Sequence, residues 1–404
     1  MSQTTKIPFL QSVTWSDHIS YVLRTLGSRE RRRSVARHVC LMQELEKSQV
    51  EKDGRLQEII ADSMGRKGIT QEQVTHYSIA NGLHDDTKGM NRYTDIIPYD
   101  RTRVQVGKPG AGEGRTHPPR YLNANWVLER YGHKWWIAAQ APLNSTAHAF
   151  MSLMLTPVLP PRTSSSTQSS KKPPIRIRTV VQLTQNVERG MKKADPYFPS
   201  EVGQHLIVPP EAGCLDPPLQ VTLLATRFHK DEHCIQSTVS IVPISNGATD
   251  VSSPTEQATV FNHMLYLSWP DHGVPEPEDR ESLLKFLRLV DQVNRVPVTP
   301  SSPLSDPDPP IMVNCSAGIG RTGSFLAISS LLRNYGFLPP AAHPSNIPPT
   351  DASPLGPIPS DLEDDLILQE IDSLREQRPG MVQRTEQVLL VYELLGTAFA
   401  AAQS

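Results

Sequence analysis

The sequence lacks most of the features that mark secreted, membrane and nucleic-acid-binding proteins. Its 404 residues include only four cysteines, and the formal net charge is only −2. No two cysteines form a CxxC pair, no basic region followed by an apolar core opens the chain, and no run of eighteen apolar residues occurs. These absences predict reduced thiols, no membrane span and no nucleic-acid partner, and we expect a cytoplasmic protein to which the nucleus is also open.

Proline, by contrast, is abundant, with 37 residues that cluster. No segment repeats at a fixed period, which disfavours a solenoid or propeller. Between the proline clusters, β-branched runs such as IMVNC (311–315) predict strands, and segments such as RTGSFLAISSLLRNYG (321–336) have helical spacing. Their alternation favours an α/β fold, a mixed sheet with helices packed on it. We expect surface loop insertions near 156–174, 208–218, 296–310 and 338–361.

The first 75 residues contain charged, helical patterns that we interpret as a packed amphipathic cap, among them HVCLMQELEKSQV and RLQEIIADS. The run RERRRS (29–34) is compatible with a localisation signal or a kinase site at Ser34. A basic run this short is more typical of a solvated helix face, and we predict that outcome.

The stretch VNCSAGIGRTGSF (313–325) contains the residues from which a reactive site is predicted. A strand is predicted to end at Cys315 and a helix to begin near Arg321, with Thr322 as a capping residue. The intervening SAGIG turn aims backbone N–H groups and the positive end of the helix at one space, which predicts an anion site. Arg321 adds a planar two-pronged donor suited to phosphate, and the same field stabilises a thiolate. Cys315 is therefore predicted to be a nucleophile aimed at bound phosphate.

Two other interpretations of local motifs are disfavoured. GIGRTG (318–323) satisfies a dinucleotide-binding pattern, but no acidic residue follows about twenty positions later. HKDEHC (229–234) has side chains that bind metals, but its context predicts a polar hairpin turn between two strands. We predict no metal and no cofactor.

CSAGIGRTGSF resembles the signature loop of the classical, non-receptor protein tyrosine phosphatases, and further blocks of that family follow in family order. The resemblance implies a central, highly twisted mixed β-sheet flanked by α-helices (α+β) in a catalytic domain over 36–402. Residues 1–35 would form an N-terminal segment, helical and partly flexible. The other blocks are NRYTDIIPYDRTRV (91–104), YLNANWV (121–127), WIAAQAPLNSTAHAF (136–150), VVQLTQNVERGMKKADPYFP (180–199), YLSWPDHGVP (266–275) and LREQRPGMVQRTEQ (374–387).

The resemblance also implies the role of each site residue. Asp271 would be the general acid and base, Gln383 would position water, and Tyr93 would make the pocket deep enough to select phosphotyrosine in proteins. The implied catalytic set is Cys315, Asp271, Arg321, Gln383 and Thr322. The implied substrate-binding set is Ser316, Ala317, Gly318, Ile319, Gly320, Tyr93, Asp95 and Gln387, and the supporting set is Glu188, Asn314 and Trp269.

One departure from the family pattern keeps other functions open. The family usually has histidine before the nucleophile, whereas this chain has Asn314, which forms hydrogen bonds but carries no charge. We therefore expect a smaller thiolate fraction and a slower chemical step. A phosphotyrosine-binding module with little or no turnover is the alternative, and a dual-specificity phosphatase is a weaker one that Tyr93 disfavours.

Overall fold

A computed structural model describes residues 15–48, 65, 68–107, 120–161, 175–244, 258–271, 273–298, 306–344 and 353–403. Its centre is an eight-stranded mixed sheet with the order β1-β2-β10-β3-β9-β8-β7-β6, and β4 and β5 form a separate pair. Strands β2, β10, β3 and β9 run parallel, and the outer strands pair antiparallel. The strands are β1 Ala124–Leu128, β2 Trp135–Gln140, β3 Thr179–Gln182, β4 Val187–Glu188, β5 Met191–Lys192, β6 His205–Val208, β7 Leu219–His229, β8 Cys234–Pro243, β9 Thr259–Tyr266 and β10 Ile311–Cys315.

Helices cover both faces of the sheet. On β10, Val313 and Cys315 point into the larger core, which the C-terminal helices and the start of the first helix complete. Met312 points to the opposite face, into a second core closed by the short helix α5. The central strands are therefore buried on both faces, as parallel strands usually are. The helices are α1 Trp15–Ser48, α2 Gln71–His76, α3 Ala80–Leu83, α4 Asp85–Lys88, α5 Ala147–Leu155, α6 Arg280–Arg295, α7 Gly320–Asn334, α8 Leu366–Gln377 and α9 Thr385–Ala401.

The predicted mixed sheet flanked by helices is confirmed. The predicted strand 311–315 coincides with β10, and the helix predicted from 321 begins one residue earlier. HKDEHC is confirmed as a hairpin turn, since His229 at the end of β7 pairs with Cys234 at the start of β8. The segment RLQEIIADS lies outside the described residues.

Helix α1 corrects two predictions. The boundary placed between residues 35 and 36 falls inside this continuous helix, whose two halves both pack on the rest of the chain, with Val22 in one buried cluster and Val39 in another. The basic run is not a solvated face throughout. Arg29 and Arg33 are buried.

Those two arginines pair with acids of α8. Arg29 donates through Nε to both oxygens of Asp372, at 3.0 and 2.9 Å, and Arg33 donates to Asp372 at 2.7 Å and to Glu376 at 2.6 Å. Residues 29 and 33 are four positions apart, so their side chains lie on the same side of the helix. There they pair with acidic side chains that are distant in the sequence. The middle of α1 is thus fixed to α8.

Two of the proline-rich stretches are partly internal, which corrects their interpretation as surface insertions. In 306–310, Asp308 is buried and accepts hydrogen bonds from Lys134 and Arg295 where the chain enters β10. In 353–361, Leu355 is buried and the carbonyl of Gly356 accepts a bond from Arg29 at 3.1 Å. Parts of three predicted insertions lie outside the described residues, namely 162–174, 299–305 and 345–352.

Candidate active site

The loop between β10 and α7 turns as the small residues predict. Gly318 has φ +71°, and a Cβ there would lie 2.0 Å from the carbonyl oxygen of Ala139, so only glycine fits. Its N–H donates to Cys315 Sγ at 3.2 Å. The loop therefore already aims a backbone donor at the sulfur, as the anion-site argument requires.

Thr322 does not cap the helix. Helix α7 begins at Gly320, so Ile319 is the capping residue and gives no side-chain bond. Thr322 lies in the first turn, fully buried, and its hydroxyl has no hydrogen-bond partner within the described part of the chain. The helix starts two residues before the predicted cap, at Gly320, directly after the tight turn.

Arg378 holds the loop from below. It is buried and donates to the carbonyls of Ala317 at 3.0 Å and Gly318 at 2.7 Å, and to the side chains of Asn123 and Asn125. Burial lowers its pKa to about 10, against the opposing influence of Cys315. Sequence reasoning missed this residue, although it lies in the family block LREQRPGMVQRTEQ (374–387), because nothing in the local pattern shows that an arginine side chain turns inward.

Arg321 is oriented by Glu188, one of the supporting residues that the resemblance implied. The two side chains form a two-pronged ion pair, with Nη1–Oε1 2.7 Å and Nη2–Oε2 2.8 Å. Burial by itself raises the pKa of Glu188, but the hydrogen bonds and charge of Arg321 outweigh it and hold that pKa below its ordinary value. The guanidinium also donates to the carbonyls of Leu183 and Pro270, both at 3.0 Å, which fixes its plane.

The loop after β9 brings Asp271 over the cysteine loop. Its carboxylate lies 2.8 Å from Lys193 Nζ and 3.5 Å from Arg321 Nη2. Trp269 is buried at the base of this loop and donates from its indole N–H to the carbonyl of Gly273 at 3.2 Å. Lys193 was not predicted. Lys193 directly follows β5. Its position in the family block 180–199 could have drawn attention to it, but the neighbouring Lys192 in the same block pairs with Asp195 instead.

Tyr93 and Ser316 close one wall of the site. Ser316 donates its hydroxyl hydrogen to the carbonyl of Lys193 at 2.6 Å, so Tyr93, at 2.8 Å from the same hydroxyl, must be the donor in their bond. Gln383 and Asp95 are exposed at the mouth.

Most of the predicted residues surround one cavity of about 190 Å³. Five predicted residues lie outside its lining, namely Gly318, Thr322, Glu188, Asn314 and Trp269. The predicted residues that line the cavity are Tyr93, Asp95, Asp271, Cys315, Ser316, Ala317, Ile319, Gly320, Arg321, Gln383 and Gln387.

Asn314 is buried behind the nucleophile on the opposite face of the sheet. Its backbone carbonyl accepts the N–H of Leu183 at 2.8 Å, an ordinary sheet bond. Its amide Nδ2 reaches the carbonyl of Cys315 only at 3.5 Å, and its Oδ1 has no partner among the described residues. The amide therefore contributes little direct support to the loop.

Within the described ranges, no three His, Cys, Asp or Glu side chains come together as a metal site would require. Nor is any helix of these ranges sufficiently long and apolar to cross a membrane.

Comparison with known proteins agrees with this arrangement. A family model described as protein-tyrosine phosphatase matches residues 87–156 and 175–336, more than half of the chain. The chain is 28% identical over 320 residues to tyrosine-protein phosphatase 2 of Schizosaccharomyces pombe, a match that covers 78% of this chain and 35% of the relative. It is 25% identical over 339 residues to mouse tyrosine-protein phosphatase non-receptor type 20, covering 82% of this chain and 58% of the relative.

Other relatives are much longer than this chain. A match to mouse receptor-type tyrosine-protein phosphatase eta, 28% identical over 249 residues, covers 61% of this chain and only 16% of the relative. Among solved structures, the catalytic domain of human protein tyrosine phosphatase non-receptor type 18 has a TM-score of 0.54 at 22% identity, covering 80% of this chain and 88% of that one. That likeness shows the fold. The family model, which spans most of the site, shows that the chain belongs to the protein-tyrosine phosphatase family.

Proposed function

We propose that the protein hydrolyses phosphotyrosine in proteins through a phosphocysteine intermediate. The observation that carries this proposal is the convergence of Cys315, Arg321 and Asp271 on one cavity, with the arginine already oriented by Glu188. A phosphate dianion in the loop would be held by backbone N–H groups and by the guanidinium, which also stabilises charge on the transferring oxygens.

In the first step the Cys315 thiolate attacks phosphorus, and the bond from phosphorus to the tyrosine oxygen breaks. The phenolate takes a proton from the Asp271 carboxyl group. Lys193 and Arg321 are the two cations that lie within reach of this carboxyl group.

In the second step a water molecule, positioned by Gln383, attacks the phosphocysteine and gives its proton to Asp271. The sulfur–phosphorus bond breaks and the thiolate leaves. The Thr322 hydroxyl, buried with no partner in the described ranges, is suited to donate a hydrogen bond to that sulfur.

The substrate class follows from the wall formed by Tyr93. Its ring, fixed through Ser316, would flank a substrate ring and set a depth that phosphoserine does not reach. Asp95, exposed at the mouth, would accept hydrogen bonds from the main chain of a peptide. The proposed partners are therefore phosphotyrosine-containing proteins, and the proposed domain includes α1.

The phosphotyrosine-binding module without useful turnover stays the second candidate, favoured by the weak contact of Asn314 with the loop. Phosphate release from matched phosphotyrosyl and phosphoseryl peptides separates the two, using the parent, Cys315→Ser and Asn314→His proteins. Tyrosine-selective release that vanishes in Cys315→Ser and rises in Asn314→His is the expected result. If the parent protein binds the phosphotyrosyl peptide tightly but releases no phosphate, the protein is a binding module and not an enzyme.

A further inference from the structure

A second cavity, of about 520 Å³, lies at the β1 edge of the sheet, and we name it the β1-edge cavity. It forms where the end of α5 and the following residues 156–161 pass beside β1 and residues 100–107. Among the described residues, none lines both this cavity and the active-site cavity. Its volume falls within the range of about 300–1,000 Å³ that is typical of ligand sites. The β1-edge cavity is therefore a separate candidate for binding.

Much of its wall is apolar. Trp126 of β1 and Leu153 of α5 are buried and line it from the core side, whereas Leu159 lies at its rim and is 69% exposed. The N–H of Val158 donates to the carbonyl of Ile175 at 2.8 Å, which holds the backbone beside Leu159 in place. A single exposed leucine is ordinary, but a leucine fixed at the rim of an apolar cavity is suited to contact an apolar side chain of a partner.

Arg103 gives the lining a cation that is available to an acid. Within the described ranges no carboxylate pairs with Arg103, and its Nε has no hydrogen-bond partner. Its guanidinium carbon lies 5.7 Å from the centre of the Tyr121 ring, and this cation–π contact leaves the N–H groups in the guanidinium plane for a further partner. Asp100 also lines the cavity, but its carboxylate already accepts from Ser78 Oγ at 2.6 Å and from the N–H of Asn81 at 3.1 Å.

The two chain segments that adjoin the cavity differ from it in chemistry. Residues 108–119 and 162–174 lie outside the described residues and are joined to Gly107 and Pro161, which both line the cavity. Neither segment contains Val, Leu, Ile, Met, Phe, Tyr or Trp, and together they carry five basic residues and one acidic residue. They supply no large apolar side chain for the wall, and they add positive charge beside it. The complement of this surface is an acidic partner that also presents an apolar side chain.

We propose that the β1-edge cavity is a docking site for an acidic peptide segment of a partner protein, in which a leucine-like side chain stands next to a glutamate or aspartate. The apolar side chain lies against Trp126, Leu153 and Leu159, and the neighbouring carboxylate accepts a two-pronged bond from Arg103.

Docking at this site also bears on substrate choice, a step that rests on the proposed function. Because the two cavities share no described lining residue, one protein can occupy the β1-edge cavity and present a phosphotyrosine to the active site. Binding at the first site then raises the effective concentration of the phosphotyrosine at the second. The docking itself does not depend on turnover.

The test is fluorescence anisotropy of a labelled peptide in which two adjacent leucines stand between glutamates, titrated with the full-length protein. Two matched probes replace the leucines by serine or the glutamates by glutamine. We expect saturable binding of the first probe that weakens at high salt. The serine probe should bind about tenfold more weakly because it buries no leucine, and the glutamine probe about fivefold more weakly because it offers no charge.

Two substitutions locate the site. Arg103→Gln should weaken binding of the first probe by about fivefold, since it removes the cation of the lining. Leu159→Asp should weaken it by about tenfold or more, because it removes the apolar contact and adds a charge of the same sign as the probe. The matched controls are Arg227→Gln and Leu215→Asp, which should bind as the parent does. Arg227 and Leu215 are exposed, and neither lines the cavity.

Leu159 is itself exposed, so Leu159→Asp keeps the test decisive should Arg103→Gln fail to fold. Equal binding of the three probes, or parent-like binding by Leu159→Asp, would overturn the proposal. Binding of phosphatidylserine vesicles without binding of the peptide would replace the partner protein by a lipid surface. A dimer in light scattering that Leu159→Asp dissociates, with no binding of the peptide, would replace it by a second copy of the chain.

Turnover separates the docking site from the proposed function. A phosphotyrosyl peptide extended by the glutamate–leucine sequence should have a lower KM than one extended by the glutamate–serine sequence, with an equal kcat. Leu159→Asp should remove this difference. A parent that binds the probe but hydrolyses neither peptide would refute the phosphatase and leave the docking site intact. A parent that hydrolyses both peptides but binds no probe would refute the docking site alone.

Discussion

Replacing Lys193 by methionine should slow the cleavage of phosphotyrosyl peptides by about ten- to a hundredfold. Lys193 Nζ lies 2.8 Å from Asp271, and the two side chains are only 10% and 7% exposed. A close, largely buried charge pair is coupled by about 1.5 kcal/mol or more, and each 1.4 kcal/mol is a factor of ten in rate. Methionine keeps the length of the side chain and removes the cation that holds Asp271 over the sulfur.

The assay compares kcat and kcat/KM for two substrates. A phosphotyrosyl peptide needs a proton for its leaving phenol, whereas an aryl phosphate with a strongly acidic phenol needs little help. Lys193→Met should therefore slow the peptide far more than the activated ester, because the lysine acts through the general acid.

Lys192→Met is the matched control. Lys192 is the preceding residue, 59% exposed, and pairs with Asp195 away from the cavity. Lys192 is itself solvent-exposed and Asp195 keeps Arg92 as a partner, so this variant should stay within fivefold of the parent. Equal losses in both variants, or equal losses on both substrates in Lys193→Met, would refute the assignment.

Three further outcomes are expected. Gly318→Ala should abolish turnover and lower Tm well below that of Gly336→Ala, because both glycines have positive φ but only the first would place its Cβ against a backbone carbonyl. Arg33→Met should destabilise the protein by about 3–5 kcal/mol in urea unfolding, since it removes the arginine that pairs with buried Glu376 and one of the two that pair with Asp372, whereas Arg31→Met, at an exposed position, should be near neutral. Burial raises the pKa of Glu376, but hydrogen bonds from His76 and Arg33 outweigh it and hold the pKa well below 4.5. The stability from that depressed pKa is therefore fully present above pH 4.5 and is lost on acidification. The Tm gap between the parent and Glu376→Gln, measured from pH 7 to pH 3, should narrow, and a constant gap would contradict the argument.

The nucleophile loop could be predicted because its chemistry is local. Cys315 and Arg321 are six residues apart, and the glycines between them determine the turn by themselves. Strand β10 could be predicted for the same reason, since a short apolar run indicates a strand buried on both faces without knowledge of its neighbouring strands. The roles of Asp271 and Glu188 came from the family resemblance, and the structure places both beside Arg321.

What could not be predicted depends on residues far apart in the sequence. Lys192 and Lys193 are equivalent in the sequence pattern. The position of the folded loop after β9 determines that Lys193, and not Lys192, pairs with Asp271. Arg33 and Arg378 are charged residues that turn inward because distant acceptors receive them. The helix cap was misplaced because propensity favours Thr322, while the turn geometry begins the helix at Gly320.

The ion pairs of α1 impose an order on folding during synthesis. Arg29 and Arg33 leave the ribosome early, but their carboxylate partners lie 343 residues later in the chain for the Arg29–Asp372 and Arg33–Glu376 contacts. Until α8 has been synthesised, burial of these guanidinium groups would leave their charges unpaired. Helix α1 is therefore expected to stay exposed to solvent until then. Of the helices described, α1 is therefore the first to be synthesised and among the last to be docked, and a chain that stops before α8 leaves a basic helix exposed.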